Sequence, residues 1–240
     1  MPMNKSRPRV RSCWLGSVPY RQAWDLQRSL VEQVRDGDAP DTLLLLEHPH
    51  VYTMGRKGTA EHLLWDETER ERRGVDLVWS DRGGDATYHG PGQLVGYPIL
   101  DLGRHGLDLL VYLRTIEESL IAYLADLGLV GAAVPGLTGV WVDDAKVAAI
   151  GVKFNGGVVS HGFALNLTTE LDYFQGIVPC GIADKHATSV ERLNGRRLAT
   201  ESAAHGYAVS FARAFRVELD WAARLPELVG ARRTGDLGRI

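Results

Sequence analysis

The sequence predicts a mixed α/β (α+β) fold, because segments with helical periodicity alternate with segments typical of strands. From Leu109 to Leu127 apolar residues recur at intervals of three or four, with Asp108 and Gly128 as caps, which predicts an amphipathic helix. The apolar run Thr42–Glu47 has the length of a buried strand. Two β-rich segments joined by Asn155-Gly156 predict a tight hairpin.

Further segments extend this pattern along the 240 residues. Additional helices are predicted from Tyr20 to Arg35 and from about Glu201 to Phe215. The predicted strands are Val75–Ser80, Leu94–Leu100, Gly139–Asp143, Lys146–Phe154 and Val158–Leu167. No repeat, low-complexity tract or Pro/Ser-rich linker marks a boundary, so we expect one catalytic domain over residues 1–240, with loose ends at about 1–11 and 231–240.

Composition argues against several functional classes. No stretch approaches about eighteen uninterrupted apolar residues, and Met1 to Arg11 is basic without the apolar region of a secretory signal, so we expect a cytoplasmic protein with no membrane partner. The net charge of −3 does not indicate a nucleic-acid partner. Cys13 and Cys180 are expected to be free thiols, because secreted disulfide scaffolds carry many more cysteines.

The glycine-rich segment from Arg82 to Gln93 combines accessible backbone with several polar side chains. We interpret it as a substrate-binding loop before the strand Leu94–Leu100, the alternative being an ordinary connection. It matches neither the Walker A pattern nor GxGxxG, so no nucleotide phosphate site is indicated.

The predicted hairpin carries unusually small side chains on one face. With Asn155-Gly156 as a two-residue turn, outward pairing gives three opposed pairs on that face: Ala149 with Gly162, Val147 with Ala164, and Gly151 with Ser160. We interpret this strip as a groove for a flat or elongated ligand, with close packing against a helix as the alternative. Strict alternation puts Lys146 on the opposite face unless the strand kinks or ends near it.

Cys180 stands between Pro179 and Gly181, which predicts a turn rather than a strand interior. A nucleophilic cysteine must be ionised, and a neighbouring cation lowers the thiol pKa. Lys146 is the candidate cation and Lys153 the reserve, while an ordinary surface lysine and an inert cysteine are the alternatives. Cys13 receives the inert interpretation.

The histidines leave two other chemistries open. Zinc held by Cys180 and four histidines is one, although the spacing is not diagnostic and we expect hydrogen-bonded histidines and no metal. Those histidines are His48, His50, His89 and His161. A hydrolase dyad of Cys180 and His161 is the other, because cysteine nucleophiles commonly use a histidine base.

Taken together, five motifs resemble the lipoyl(octanoyl) transferases of lipoate biosynthesis, whose fold is similar to the biotin/lipoate protein ligase catalytic domain. Between about Leu44 and Ser189 they read EHPHVYTMGR, RGGDATYHGPGQLVGYPILDL, GVWVDDAKVAAIGVK, SHGFALNL and IVPCGI, followed by TS. The resemblance implies that Cys180 is the acyl-thioester nucleophile and that Lys146 activates it. The substrate-binding residues it implies are Arg82, Gly83, Gly84, Asp85, Ala86, Thr87, Tyr88, His89, Ala149, Ile150, Gly151, Gly162, Phe163 and Ala164.

The resemblance also implies a reaction and its partners. Octanoyl-acyl-carrier protein would donate octanoate to Cys180, and a lysine of a lipoyl domain would then accept it, as in the 2-oxoacid dehydrogenases and the glycine cleavage H protein. No cofactor is expected, since the donor arrives activated, and a monomer is expected. Backbone amides near Cys180 and at Gly83-Gly84 are expected to stabilise the oxyanion.

Two rival functions remain at this point: an ATP-dependent lipoate or biotin protein ligase, and a non-catalytic acyl-binding protein. If the groove holds the acyl chain, enlarging Ala149 or Gly162 is expected to shorten the accepted chain or block loading.

Overall fold

The computed structural model describes residues 7–178 and 186–222. In these ranges an eight-stranded mixed sheet has the order β11-β1-β2-β6-β10-β9-β8-β7, and a three-stranded sheet has the order β4-β3-β5. The strands are β1 (Arg9–Ser17), β2 (Thr42–Glu47), β3 (Val51–Met54), β4 (Asp76–Trp79), β5 (Ala86–His89), β6 (Gln93–Asp101), β7 (Ala132–Val134), β8 (Leu137–Val142), β9 (Ala145–Asn155), β10 (Val158–Asn166) and β11 (Glu218–Trp221). The mixed α/β class predicted from the sequence is confirmed.

The described residues form six helices, some of which cover the two faces of the large sheet. They are α1 (Tyr20–Asp36), α2 (Glu67–Arg72), α3 (Leu102–His105), α4 (Leu109–Asp126), α5 (Val190–Asn194) and α6 (Thr200–Phe215), with 3₁₀ turns at Ala60–His62 and Leu171–Gly176. Within the two described ranges, none of these helices combines the length and the apolarity that crossing a bilayer requires.

The period-two alternation of β2 shows how the two faces are covered. Leu43 and Leu45 pack in one buried cluster with residues of α4 and α6. Leu44 and Leu46 point the other way, into a cluster with residues of α1. All four leucines are fully buried, so both faces of β2 are apolar. Its sequence is therefore a continuous apolar run rather than an alternation of apolar and polar residues.

The most regular helix forms as its sequence predicts. Asp108 caps α4 by accepting a hydrogen bond from the Val111 amide at 2.8 Å. Gly128 follows the last turn with φ 81°, a left-handed conformation that glycine adopts without steric cost. Local sequence signals therefore determine both ends of this helix.

Two expectations are corrected by the strands. The chain is not loose as far as residue 11, because β1 begins at Arg9 and pairs with both β11 and β2. The glycine-rich segment is not entirely loop, because Ala86–His89 pairs with β3. Each correction has the same cause: strand partners that lie far away in the sequence supply the backbone hydrogen bonds.

Candidate active site

A cleft forms where the β9–β10 hairpin meets the glycine-rich segment. It encloses about 510 Å³ of empty space, part of it open to solvent. Of the predicted site residues, those lining this first cleft are Arg82, Gly84, Asp85, Ala86, Thr87, His89, Lys146, Ala149, Ile150, Gly151, Gly162, Phe163 and Ala164. The structure therefore brings three distant stretches of the sequence to one cavity.

The hairpin register differs from the predicted one by two residues. Ala149 pairs with Ala164 and Gly151 pairs with Gly162, because the turn is Gly156-Gly157 rather than Asn155-Gly156. Both glycines have positive φ, as the two central residues of a type I′ turn require. A shift of two preserves the faces, so Ala149, Gly151, Gly162 and Ala164 share one face and line the first cleft. The other two members of the predicted strip do not line it: Val147 is buried on the opposite face and Ser160 lines a different cavity.

An irregularity in β9 brings Lys146 onto the same face as this strip. The β8–β9 register shifts between Val140 and Trp141, and Val147 and Ala148 are both buried in the cluster around α4 and α6. Two consecutive residues facing one way are the mark of a β-bulge. The bulge reverses the alternation that would otherwise separate Lys146 from Ala149.

The Lys146 ammonium is held on the β8 side of the cleft. Its Nζ donates to the Thr138 carbonyl at 3.3 Å and lies 4.8 Å from the centroid of the Trp141 ring. Both contacts hold the ammonium in place by electrostatic attraction, because a carbonyl oxygen and the face of an indole are negative. Trp141 was not among the predicted site residues, although it lies in the same motif as the lysine, five residues before it.

The backbone of Lys146 connects this strand to the segment that follows Cys180. The Lys146 amide donates to the His186 carbonyl at 2.9 Å, and the Thr188 amide donates to the Lys146 carbonyl at 2.9 Å. On the other side, the Val178 amide donates to the His62 carbonyl at 2.9 Å. Cys180 itself lies outside the described residues.

Arg82 organises the loop rather than projecting freely into the cleft. Its buried guanidinium donates to the Thr53 hydroxyl and carbonyl, to the Gly83 carbonyl and to the Asp85 carbonyl. The Asp85 carboxylate in turn accepts from the Ala86 amide at 2.6 Å and pairs with His62 at 2.8 Å. These side chains fix the backbone around Gly84, and His62 was not among the predicted site residues.

Two residues predicted to contact substrate do not line the first cleft. Tyr88 points away from it, because alternation along β5 puts Tyr88 on the face opposite to Thr87 and His89, where its hydroxyl hydrogen-bonds His50 at 2.7 Å. Gly83 lines a neighbouring cavity, and its amide donates to the Val152 carbonyl at 2.8 Å. The Gly83 amide is therefore already used and does not supply the expected oxyanion contact.

Buried aromatic and histidine rings close the inner end of the cleft. Tyr20 and Tyr97, which were not among the predicted site residues, line it together with His89 and His161. His48 lies behind them: it donates through Nδ1 to the Val18 carbonyl and accepts from the Tyr97 hydroxyl at 2.7 Å. This end of the cavity is therefore bounded by large rings.

Burial favours the neutral form of these histidines. Desolvation lowers the pKa of His48 to about 4, and it lowers the pKa values of His89 and His161 as well. His48 and His50 belong to separate clusters, since His50 stacks on Tyr173 with centroids 4.3 Å apart. Among the residues that the structure describes, no three or more His, Cys, Asp or Glu side chains are grouped to hold a metal ion.

Lys153, the reserve candidate for the cation beside Cys180, forms an ion pair with Asp81. Its Nζ lies 2.7 Å from one oxygen of Asp81, and His161 donates to the other oxygen at 2.8 Å. The hydrogen bond from His161 is the largest influence on the Asp81 carboxyl. Together with the one from Lys153, it lowers the pKa of Asp81 by more than burial raises it. His161 has φ 55°, which turns its ring toward Trp24 and Tyr97, and the sequence carries no signal for this conformation. A carboxylate thus compensates the charge of Lys153.

Comparison with known proteins identifies the class first. The family model "Lipoyl protein ligase A/B catalytic domain" matches residues 19–212, so the chain belongs to this family. Among solved structures, a lipoate-protein ligase A bound with ATP has a TM-score of 0.74 at 17% identity, covering 92% of each chain. A putative lipoate protein ligase from T. acidophilum with bound lipoic acid has a TM-score of 0.73 at 16% identity, covering 89% of each chain. These likenesses concern the fold.

Curated relatives narrow the similarity within the family. An octanoyltransferase of Rubrobacter xylanophilus is 54% identical over 76% of this chain and 83% of its own length. An octanoyltransferase of Solibacter usitatus is 47% identical over 88% of this chain and 96% of its own length. The chain is therefore similar to the octanoyltransferases, and the resemblance inferred from the motifs is confirmed.

Proposed function

We propose that this protein transfers an octanoyl group from octanoyl-acyl-carrier protein, through a thioester on Cys180, to a lysine of a lipoyl domain. The observation that carries the proposal is Lys146: its ammonium lies at a cleft with a floor of small residues, and its backbone pairs with the segment that follows Cys180. The named activity of the relatives supports the same reaction.

The hydrogen bonds flanking Cys180 support its role as the nucleophile. Val178, two residues before it, is bonded to His62, and His186 is bonded to Lys146. A single thiol on a segment attached to the strand of the cation would gain from electrostatic stabilisation of its thiolate. The other cysteine is unsuited, because burial in β1 raises the pKa of Cys13 to about 12.

The loading half-reaction requires only the Cys180 thiolate and the Lys146 ammonium from the enzyme. The Cys180 thiolate attacks the donor carbonyl, forming a C–S bond, and the bond from that carbonyl to the carrier's sulfur breaks. The leaving thiolate takes a proton from the Lys146 ammonium and departs as a thiol. The enzyme is left with an octanoyl thioester and a neutral lysine.

The transfer half-reaction restores the starting state. The neutral amine of the acceptor lysine attacks the thioester carbonyl, forming a C–N bond, and the C–S bond to Cys180 breaks. Lys146 takes the proton that the amine loses, which regenerates the ion pair of ammonium and thiolate. The chemistry needs no metal or nucleotide, because the donor is already a thioester.

The first cleft is the proposed acyl site. Small residues line its floor, and its inner end is bounded by the rings of Tyr20, His89, Tyr97 and His161. This shape fits a narrow saturated chain. At about 0.8 kcal/mol per buried CH₂, six methylenes contribute on the order of 5 kcal/mol. Chain recognition in this proposal is therefore mainly hydrophobic.

The wider setting follows from the same proposal. The acceptors are the lipoyl domains of the 2-oxoacid dehydrogenases and the glycine cleavage H protein, and residues 1–240 act as one catalytic domain. We also propose that the protein acts as a monomer in the cytoplasm.

Intact-mass spectrometry after mixing with octanoyl-acyl-carrier protein tests the proposal. We expect the mass of one octanoyl group to be added to the parent protein and to Cys13→Ser, but not to Cys180→Ser. Addition of a lipoyl domain should then move the group to the acceptor. Modification that requires free octanoate and ATP would instead indicate a ligase, and full acyl transfer by Cys180→Ser would overturn the thioester route.

A further inference from the structure

A second cleft adjoins the first across a shared wall. It encloses about 920 Å³ of empty space, part of it solvent, on the side of α4 and β8. The residues lining both clefts are Gly84, Asp85, Lys146, Ile150 and Gly151. The two cavities therefore meet at a wall that includes Lys146.

We propose that this second cleft binds the pantetheine arm of the acyl donor during loading of Cys180. The proposal rests on the proposed function, because it assumes that the acyl chain occupies the first cleft. A thioester carbonyl carries its acyl chain and its sulfur substituent in different directions. With the chain in the first cleft, the sulfur arm needs another path that starts beside Lys146, and the second cleft offers one.

The lining of the second cleft matches the chemistry of such an arm. Leu113, Leu137, Ile150 and Val152 are partly exposed aliphatic side chains that suit the methyl and methylene groups of pantetheine. Exposed backbone of the β7–β8 turn at Gly136 offers polar groups to the amides of the arm. The cleft therefore combines apolar and hydrogen-bonding surface along its length.

A cation at the rim suits the phosphate that ends the arm. Lys57 is exposed and lines the cleft, and its amide donates to the Gly84 carbonyl at 3.0 Å, which fixes its backbone next to the shared wall. The acceptor's lysine side chain is short and carries a positive charge, so it gains little from a long cleft with a cation at its rim. The donor arm is the better occupant.

Loading rates with donors of graded arm length test this inference. The donors are the octanoyl thioesters of N-acetylcysteamine, pantetheine and phosphopantetheine, and the readout is thioester formation at Cys180 by intact mass. The parent should prefer the pantetheine donor over the N-acetylcysteamine donor. In Leu137→Trp, whose indole would fill the cleft, that preference should fall on the order of tenfold, equivalent to about 1.4 kcal/mol.

Three further variants control for misfolding and test where the phosphate binds. Leu113→Trp fills the cleft from α4 instead of β8 and should show the same loss, while Val130→Trp, at a position 88% exposed, should keep the parental preference. Lys57→Glu should reduce the preference for phosphopantetheine over pantetheine. Equal preferences in the parent and both cleft variants would overturn the inference, as would slowing confined to transfer onto the lipoyl domain.

The two failures are distinguishable. If the parent gains no thioester from any donor, the proposed function fails. If it loads normally and the cleft variants keep the full preference for the long arm, the proposed function stands and the assignment of the second cleft is wrong.

Discussion

Ala149→Leu is the most direct perturbation of the proposed acyl site. Ala149 pairs with Ala164 on the floor of the first cleft and is partly exposed there, so a larger side chain would extend into the cavity. Leucine adds three carbons to alanine, enough to displace about three methylenes of the acyl chain. At about 0.8 kcal/mol per buried CH₂ the loss is about 2.4 kcal/mol, or roughly 60-fold in kcat/KM for octanoyl relative to a chain about three carbons shorter.

The assay is competition between octanoyl and shorter acyl donors, with products resolved by mass. Ala133→Leu, on the exposed β7 strand, adds the same carbons outside the cleft and should retain the parental profile. An unchanged chain-length profile in Ala149→Leu would refute the acyl assignment of the cleft. Gly162 is not an equivalent position, because a Cβ there would clash with the Gly96 carbonyl oxygen and would disrupt strand packing instead.

Three further outcomes are expected. Replacing Lys146 by alanine should raise the pKa of the nucleophilic thiol in an iodoacetamide titration, whereas Lys153→Ala should leave it close to the parent; equal values for the parent and Lys146→Ala would exclude Lys146 as activator. Burial lowers the pKa of His48 from 6.5 to about 4, so protonation of this side chain favours the unfolded state. The contribution of His48 to the free energy of unfolding is therefore fully present above about pH 6.5 and falls by about 3 kcal/mol as the pH drops to 4. In urea titrations the free energy of unfolding of His48→Gln should decline less steeply over that pH range than that of the parent. Equal declines in the two proteins would contradict this prediction. Arg82→Lys should cost about 3 kcal/mol, since lysine cannot replace the buried fork of hydrogen bonds, while exposed Arg28→Lys should cost little; equal melting temperatures would contradict the organising role.

Predictions based on local pattern agree closely with the structure. The predicted strand Thr42–Glu47 has the observed bounds, and the helix after Asp108 begins at Leu109 as expected. The face shared by Ala149, Gly151, Gly162 and Ala164 was also correct, because alternation with period two survives a register shift of two, whereas the bulge puts Val147 on the other face. Such signals arise from hydrogen bonding and apolar spacing within one segment, so a sequence alone carries them.

The hairpin turn shows where local information ends. Asn155-Gly156 and Gly156-Gly157 both suit a two-residue turn, and the sequence does not choose between them. In the structure β10 pairs with β6 on its other side as well as with β9, and the turn falls at the two glycines with positive φ. Pairing with a strand sixty residues away in the chain therefore bears on the register.

By itself, the sequence determined the α/β class, the main helices and strands, and the family to which the motifs belong. Only the tertiary structure decided that a bulge turns Lys146 onto the face of Ala149, that Tyr88 points away from the cleft, and that Asp81 neutralises Lys153. The physical reason is that these features depend on contacts between distant segments, in which bulges and buried polar pairs form wherever packing and hydrogen bonding across the whole fold require them.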